Sequence, residues 1–144
     1  LHVGPRSAGA SPGPAGYGRG GTEATITDAN LALGRIDKDY FCGGAFPADM
    51  DAVGRALDAV AAKLGTDRRE AARGIVRIAN NNMINALKLV SLNRGYDPRD
   101  FTLVAFGGGG GMHRHHRGQE CCKLHGRGPL QCSAWPLAAG TAAR

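Results

Sequence analysis

The sequence predicts an α/β domain, and three observations along the chain support this fold class. Two long segments, which begin near Pro47 and at Thr66, repeat apolar residues at three- and four-residue spacing, the pattern of helices with one buried face. A continuous apolar run of strand length, Phe101 to Phe106, follows them and leads directly into five glycines. Helix, helix, strand and glycine turn in this order are typical of one α/β layer.

Length and composition limit the chain to one domain. With 144 residues, of which 42% are hydrophobic and 21% charged, the chain resembles a soluble globular protein with a single core. No stretch approaches the ~20 consecutive apolar residues that span a membrane, and Leu1 to Pro5 do not resemble a signal peptide. We therefore expect a cytoplasmic protein with no membrane partner.

The chain divides into three parts of different character. Residues 1–21 hold seven glycines and three prolines and predict a loop. Residues 22–112 form the α/β part. Residues 113–144 form an atypical basic tail that is rich in Cys and His, shows no helical or strand period, and is expected to be disordered. Residues 1–112 carry 13 Lys and Arg against 11 Asp and Glu, whereas the tail carries 5 against 1, so most of the net charge of +6 belongs to the tail.

The elements of the middle part are predicted from local signals. Thr22 to Thr27 alternates enough for a short strand, after which Thr27 or Asp28 caps a brief helix that runs through Leu33. The first main helix begins after Asp49 and ends at Gly65. Thr66 caps the second, which is predicted to run to about Arg94. Its buried stripe is Ala71, Ala72, Ile75, Ile78, Ala79, Met83, Leu87 and Val90.

The apolar run Phe101 to Phe106 predicts a strand that is covered on both faces. A buried strand needs neighbours, and the chain contains too few of them. The glycines that follow, Gly107 to Gly111, allow backbone amides to approach a phosphate or a purine closely. They lack the Lys and Ser/Thr of a P-loop, so a flexible glycine linker remains the alternative on local grounds.

Longer motifs extend this interpretation. Residues 4–35 read GPRSAGASPGPAGYGRGGTEATITDANLALGR and residues 75–108 read IVRIANNNMINALKLVSLNRGYDPRDFTLVAFGG, and His113 follows them. Taken together, these segments resemble the hydantoinase A / oxoprolinase family, which includes N-methylhydantoinase, 5-oxoprolinase and acetone carboxylase subunits. The likeness covers about three-quarters of the chain.

The resemblance implies a piece of one lobe of the actin-like (ribonuclease H-like) ATPase fold, with two main helices, a buried strand and irregular ends. It implies use of ATP and Mg²⁺, a small cyclic amide substrate, and a hydantoinase B-type partner subunit. The glycine motif of the family contacts the nucleotide, which points to Gly107, Gly108 and Gly110. The chain departs from the family where Gly111 and Met112 replace Pro-Leu, and where Gly16 replaces the Cys of the family's Pro-Ala-Cys-Tyr loop.

Asp28, Asn30 and His113 are the candidate residues of the active cleft. Asp28 and Asn30 place a carboxylate and an amide just after the glycine-rich loop, although Asp28 is also suited to a capping role alone. The asparagines at 80, 81, 82 and 85 are unusual inside a helix, so we expect at least one to point inward to a structural hydrogen-bond partner, with ligand contact as the alternative. No catalytic residue is identified.

The family's phosphate motifs lie outside these residues, and phosphoryl transfer depends on donors and Mg²⁺ placed around the transferred group. We therefore expect a fragment of a cyclic-amide hydrolase that is inactive alone. The alternatives are a non-enzymatic truncated or frameshifted remnant, which would explain the tail, or a fragment of an ATP-dependent ketone carboxylase subunit.

The tail suggests two further functions, and neither is favoured. Its potential zinc ligands are Cys121, Cys122, Cys132, His115, His116 and His125. Adjacent Cys121 and Cys122 do not form the usual C-x₂₋₄-C pair, so we predict no specific metal site. The tail also lacks aromatic residues interleaved with its basic ones, so we predict no nucleic-acid partner.

Overall fold

The computed structural model describes residues 1–104, 111–113 and 123–125 of the chain. Within these ranges the regular structure consists of three α-helices and two short strands. The elements in chain order are α1 Ile26–Ala32, α2 Met50–Leu64, α3 Arg68–Leu92, β1 Thr102–Val104 and β2 Lys123–His125. Short 3-10 turns lie at Ala15–Tyr17, Phe41–Gly44, Pro98–Asp100 and Gly111–His113.

The helix α2 confirms the sequence prediction at both ends. Asp49 caps its first turn, since the carboxylate accepts a hydrogen bond of 2.9 Å from the Ala52 amide. Gly65 ends the helix in the left-handed conformation, with a φ of 63° that glycine adopts without a steric penalty. The buried residues of α2 are Val53, Gly54, Ala56, Leu57 and Ala61.

The helix α3 is also confirmed, but Thr66 is not its cap. The carboxylate of Asp67 accepts a hydrogen bond of 2.8 Å from the Glu70 amide and so caps the helix one residue later than predicted. The Thr66 amide instead donates to the Ala61 carbonyl at 3.1 Å, which closes the end of α2. Thr66 therefore belongs to the end of one helix, and Asp67 begins the next.

The buried stripe of α3 is shorter than its apolar sequence predicts. Burial stops at Ile84, and Val90, which was expected to continue the stripe, is 58% exposed. A periodic apolar pattern shows which face of a helix favours burial, but that face is buried only where another element covers it. The last two turns of α3 therefore present apolar side chains to solvent.

The predicted strand from Thr22 to Thr27 is wrong. Residues from Ile26 onward belong to α1, and Thr25 is the N-cap of that helix. The Thr25 hydroxyl accepts a hydrogen bond from the Asp28 amide at 3.3 Å, and the Asp28 carboxylate accepts one from the Thr25 amide at 2.8 Å. This reciprocal capping box satisfies two amide groups locally, which favours a helix start over an extended strand.

The predicted two-sided burial of the strand is also wrong within the described residues. β1 covers only Thr102–Val104 and pairs in parallel with β2, so that Leu103 lies opposite Leu124. Phe101 is 48% exposed and Val104 is 62% exposed. A parallel strand is buried when layers cover both of its faces, and two short strands do not provide such layers. β2 lies in the tail, where the sequence showed no strand period.

The core lies where α1, α2 and α3 pack against one another. Leu57 and Val53 of α2 are almost completely buried there, together with Val76 of α3. The core cluster consists of Ala29, Leu31, Phe41, Val53, Leu57, Ala72, Ile75 and Val76. The described part of the chain is thus mostly helical. None of its helices is both long and apolar enough to cross a membrane.

Candidate functional site

The carboxylate of Asp28 is completely buried and accepts four hydrogen bonds. Its Oδ1 accepts from the Gly16 amide at 2.8 Å, and its Oδ2 accepts from the Ala15 amide at 3.2 Å. Thr25 donates twice to Oδ2, from its amide at 2.8 Å and from its hydroxyl at 2.7 Å. Asp28 therefore joins the start of α1 to the glycine- and proline-rich loop that precedes it.

The hydrogen bonds of Asp28 are suited to fixing the backbone of the loop in place. Amides and a hydroxyl that donate to a carboxylate form charge-assisted hydrogen bonds, which are stronger than bonds between neutral groups. The sequence placed Thr27 or Asp28 at the cap itself, whereas Thr25 is the N-cap and Asp28 completes the capping box from the third position of α1. The bonds of Asp28 also extend to the loop through Ala15 and Gly16. A role of Asp28 in an active cleft stays a prediction.

Gly16 lets the loop lie directly on α1 and α2. A Cβ atom at this position would stand 2.7 Å from Leu31 Cδ1, 3.0 Å from Val53 Cγ2 and 3.3 Å from Asp28 Oδ1. These distances leave no room for a side chain without movement of the core. The space that a Cys side chain would need at this position is therefore filled by neighbouring core atoms.

An aromatic cluster holds the other side of the loop. The rings of Tyr17, Phe41 and Phe46 have centroids 5.5 to 6.1 Å apart in tilted or edge-to-face arrangements. The Arg19 guanidinium lies 5.6 Å from the centre of the Phe46 ring. Such ring pairs and cation–π contacts add specific stabilisation beyond area burial. The loop is therefore fixed by the rings on one side and by Asp28 on the other.

Asn30 of α1 is completely buried, and its side chain is half satisfied. Its Nδ2 donates to the Ile26 carbonyl at 3.0 Å, whereas its Oδ1 has no hydrogen-bond partner among the described atoms. A buried acceptor without a partner is unfavourable and is uncommon in folded proteins. The Nδ2 of Asn30 is therefore bound to its own helix, whereas its Oδ1 is buried without a partner among the described atoms.

The side chain of His113 is buried and meets α3 at Asn80. The His113 Nδ1 lies 2.7 Å from the Asn80 Oδ1. Asn80 is itself 97% buried, and its Nδ2 has no hydrogen-bond partner within the described part of the chain. This contact fastens the short turn Gly111–His113 to the middle of the long helix.

The candidate residues do not all meet at one point. Asp28 and Asn30 share α1, whereas His113 is bound to α3. Gly107, Gly108 and Gly110 lie outside the described residues. The prediction that at least one asparagine points inward to a hydrogen-bond partner is confirmed by Asn80. The exposed Asn82 donates from its Nδ2 to the Val3 carbonyl at 3.1 Å. The pairing of Asn80 with His113 was not predicted; the signal was a run of poor helix formers inside a helix.

The described residues include no group of three metal-ligating side chains. A shallow hollow of about 460 Å³ lies at the end of α3 and is lined by Leu92, Gly95, Tyr96, Asp97, Pro98 and Arg99. Hydrogen bonds from the Arg99 side chain and backbone lower the pKa of Asp97 to about 2. The Arg99 guanidinium forms an ion pair with the Asp97 carboxylate at 2.6 Å. Because the two charges neutralise each other, the hollow does not offer a charged binding site.

Comparison with known proteins adds to this geometry. The family model described as hydantoinase/oxoprolinase matches residues 1–122. The chain is 49% identical over 117 residues to the caprolactamase subunit alpha of Pseudomonas jessenii and 46% identical over 114 residues to the acetophenone carboxylase gamma subunit of Aromatoleum aromaticum. Each alignment covers 78% of this chain and 16% of the relative, so the chain spans about a sixth of their length.

A solved structure shows the same similarity in three dimensions. The crystal structure of the ATP-dependent caprolactamase from Pseudomonas jessenii superposes with a TM-score of 0.76 at 46% identity. The superposition covers 83% of this chain and 18% of the caprolactamase chain. The described arrangement of helices is therefore one that occurs inside a much longer polypeptide.

Proposed function

Because this chain belongs to the hydantoinase/oxoprolinase family, we propose that it is a piece of an ATP-dependent hydrolase of cyclic amides, of the hydantoin or 5-oxoproline type. The observation that carries the proposal is the match of residues 1–122 to the family, together with a TM-score of 0.76 to an ATP-dependent caprolactamase. A caprolactamase takes its name from a cyclic amide, which supports this substrate class. The proposed locations are the cytoplasm and a complex with a hydantoinase B-type subunit.

The proposed contribution of this piece is one wall of a nucleotide site in an actin-like ATPase lobe. In this proposal Gly107, Gly108 and Gly110 approach the nucleotide through their backbone, and His113 ends that turn. The contact of His113 with Asn80 supports the proposal, because it fixes one end of the turn to a long helix. A glycine turn that contacts a ligand needs such a support to hold its amides in place.

The described residues by themselves do not fit a complete site for ATP and Mg²⁺. They offer no cluster of three acidic, Cys or His side chains, and the Asp28 carboxylate is occupied by the amides of the loop. Charge on a transferred phosphoryl group must be met by several positioned donors and by the metal ion. We therefore expect no ATP hydrolysis by the isolated chain.

A second candidate is a fragment of an ATP-dependent ketone carboxylase subunit. The 46% identity to an acetophenone carboxylase gamma subunit favours it. Both candidates share nucleotide use and differ in substrate. A non-enzymatic remnant remains the third candidate, and it predicts neither nucleotide binding nor turnover.

Thermal unfolding of the 144-residue chain with and without millimolar MgATP tests the proposal. A ligand that binds only the folded state raises the Tm, so a rise that increases with MgATP concentration and is lost with Gly108→Val supports a nucleotide wall. The absence of any shift removes nucleotide binding and favours the remnant. An ATPase assay with hydantoin, 5-oxoproline or caprolactam completes the test, and turnover by this chain alone would contradict the expected dependence on the rest of the site.

A further inference from the structure

Asn80 is a costly residue for the position that it occupies. Asparagine is a poor helix former, and this one is 97% buried in the interior of α3. The buried neighbours on the same helix are apolar and include Val76, Ala79 and Ile84. The Asn80 Nδ2 also lacks a hydrogen-bond partner among the described atoms. An apolar residue would avoid both costs but would leave the buried His113 Nδ1 without this partner, so the contact with His113 is what accounts for an asparagine here.

The hydrogen bond that the structure describes for the Asn80 side chain is with His113. The Asn80 Oδ1 has lone pairs and no hydrogen, so at 2.7 Å from the His113 Nδ1 it acts as an acceptor. The Nδ1 atom must then carry a hydrogen. In a neutral imidazole only one nitrogen is protonated, which leaves the lone pair on Nε2.

We infer that Asn80 is a positioning residue that orients the His113 ring and holds it as the Nδ1–H tautomer. Burial of both side chains favours the neutral ring, because removal of a charged imidazole from water is unfavourable. In this tautomer the Nε2 atom of His113 carries no hydrogen and can only accept a hydrogen bond. Any group that meets this nitrogen, in the protein or on a ligand, must therefore be a donor, such as an N–H or a hydroxyl.

The inference rests on the proposed function only where it assigns the neighbouring turn to a ligand. The tautomer and the orientation follow from the contact between Asn80 and His113. They can therefore be measured on the chain without nucleotide or substrate. If MgATP fails to stabilise the chain, the proposed nucleotide contact is contradicted, but the predicted tautomer of His113 is not.

Long-range ¹H–¹⁵N correlation spectra of the ¹⁵N-labelled chain test the inference, with the His113 signals assigned by comparison with His113→Gln. The spectra should show a protonated Nδ1 and an unprotonated Nε2 at alkaline pH. Asn80→Leu removes the acceptor and should move the ring toward the Nε2–H tautomer. Asn80→Asp keeps the acceptor and adds a negative charge, which should raise the midpoint of the His113 titration by about one pH unit or more.

Asn85 supplies the matched control, because it lies on the exposed side of the same helix. Asn85→Leu and Asn85→Asp should leave both the tautomer and the midpoint of His113 unchanged. An Nε2–H tautomer in the unmodified chain would overturn the inference. So would an Nδ1–H tautomer that persists unchanged in a folded Asn80→Leu variant. Should circular dichroism show that Asn80→Leu is unfolded, Asn80→Asp decides, and an unchanged midpoint in that variant would overturn it.

Discussion

Two regions of the described structure both contain apolar patterns, but they differ in how far their apolar side chains are buried. The first region, from the loop before α1 to Ile84, contains the buried core cluster and ties its loop to Asp28. The second region runs from Leu89 to Val104. Six of its large apolar side chains are exposed, namely those of Leu89, Val90, Leu92, Tyr96, Phe101 and Val104. Both regions have apolar patterns, but only the first contains the elements that cover them.

This difference shows what an apolar pattern can predict. The spacing in α2 and in the first half of α3 predicts buried faces, and α1 is present to complete their core. The same spacing continues to Val90, where the helix persists but its burial ends. Helix formation depends on local residues and one packed face, whereas burial depends on which partners the chain supplies.

The largest effect is expected when the hydrogen bonds between Asp28 and the loop of the first region are removed. Asp28→Ala leaves the buried amides of Ala15 and Gly16 without an acceptor and removes the capping box, so we expect a loss of about 3 kcal/mol or more in the free energy of unfolding. Urea denaturation measures it. Asp100→Ala, on the exposed surface of the second region, should change that free energy by no more than about 0.5 kcal/mol. Equal effects of the two substitutions would contradict the anchoring role of Asp28.

The next comparison uses the same substitution in both regions. Leu57 is completely buried, whereas Leu89 is 62% exposed. Leu57→Ala should lower the free energy of unfolding by about 2 to 5 kcal/mol, because it leaves a cavity in the core. Leu89→Ala should lower it by no more than about 0.5 kcal/mol. A large loss for Leu89→Ala in urea denaturation would show that its region is covered in solution.

A smaller effect separates two glycines that contact the core differently. Gly16→Ala brings a methyl group to 2.7 Å from Leu31 Cδ1 and should cost about 1 to 3 kcal/mol through overpacking. Gly74→Ala, in the middle of α3, meets only Leu1 Cδ2 at 3.5 Å and should stabilise the chain by about 0.5 to 1 kcal/mol. Thermal unfolding should thus give Tm changes of opposite sign. A higher Tm for Gly16→Ala would show that the loop is not pressed against the core.

The smallest effect belongs to Asp97 in the second region. Hydrogen bonds from Arg99 lower the pKa of Asp97 from 3.8 to about 2. The stabilisation linked to this pair is therefore fully present above pH 4 and is lost as the pH falls through 2. Arg99→Gln should move the pKa of Asp97 back toward 3.8 in a carboxyl NMR titration. An unchanged pKa in the variant would show that the ion pair does not form in solution.

The sequence predicted the parts of the fold that depend on neighbouring residues. Asp49 and Gly65 bound α2 as expected, because a cap and a left-handed glycine act locally. The strand predicted at Thr22 to Thr27 failed, since β-branched residues favoured a strand while the reciprocal bonds of Thr25 and Asp28 favoured a helix start. At this point of the chain, the β-strand propensity was outweighed by the two reciprocal hydrogen bonds between Thr25 and Asp28.

The candidate site was predictable only in part, for a similar reason. The inward orientation of one asparagine could be expected from four poor helix formers in α3, but its partner His113 lies 33 residues away along the chain. The use of Asp28 by Ala15 and Gly16 was equally hidden, because those amides belong to a loop without a period. Contacts between distant segments depend on packing, which no local pattern encodes.

Hydrogen exchange of individual backbone amides tests the difference between the two regions most directly. Exchange of the Ala15 and Gly16 amides, which donate to Asp28, should require opening of the packed helices and should therefore be slow. Exchange of the Thr102 and Val104 amides in the short exposed strand should be much faster, and Asp28→Ala should accelerate the loop amides far more than these strand amides. Equal protection of the loop and of β1, or loop amides that exchange as quickly as those of an unfolded chain, would contradict the account.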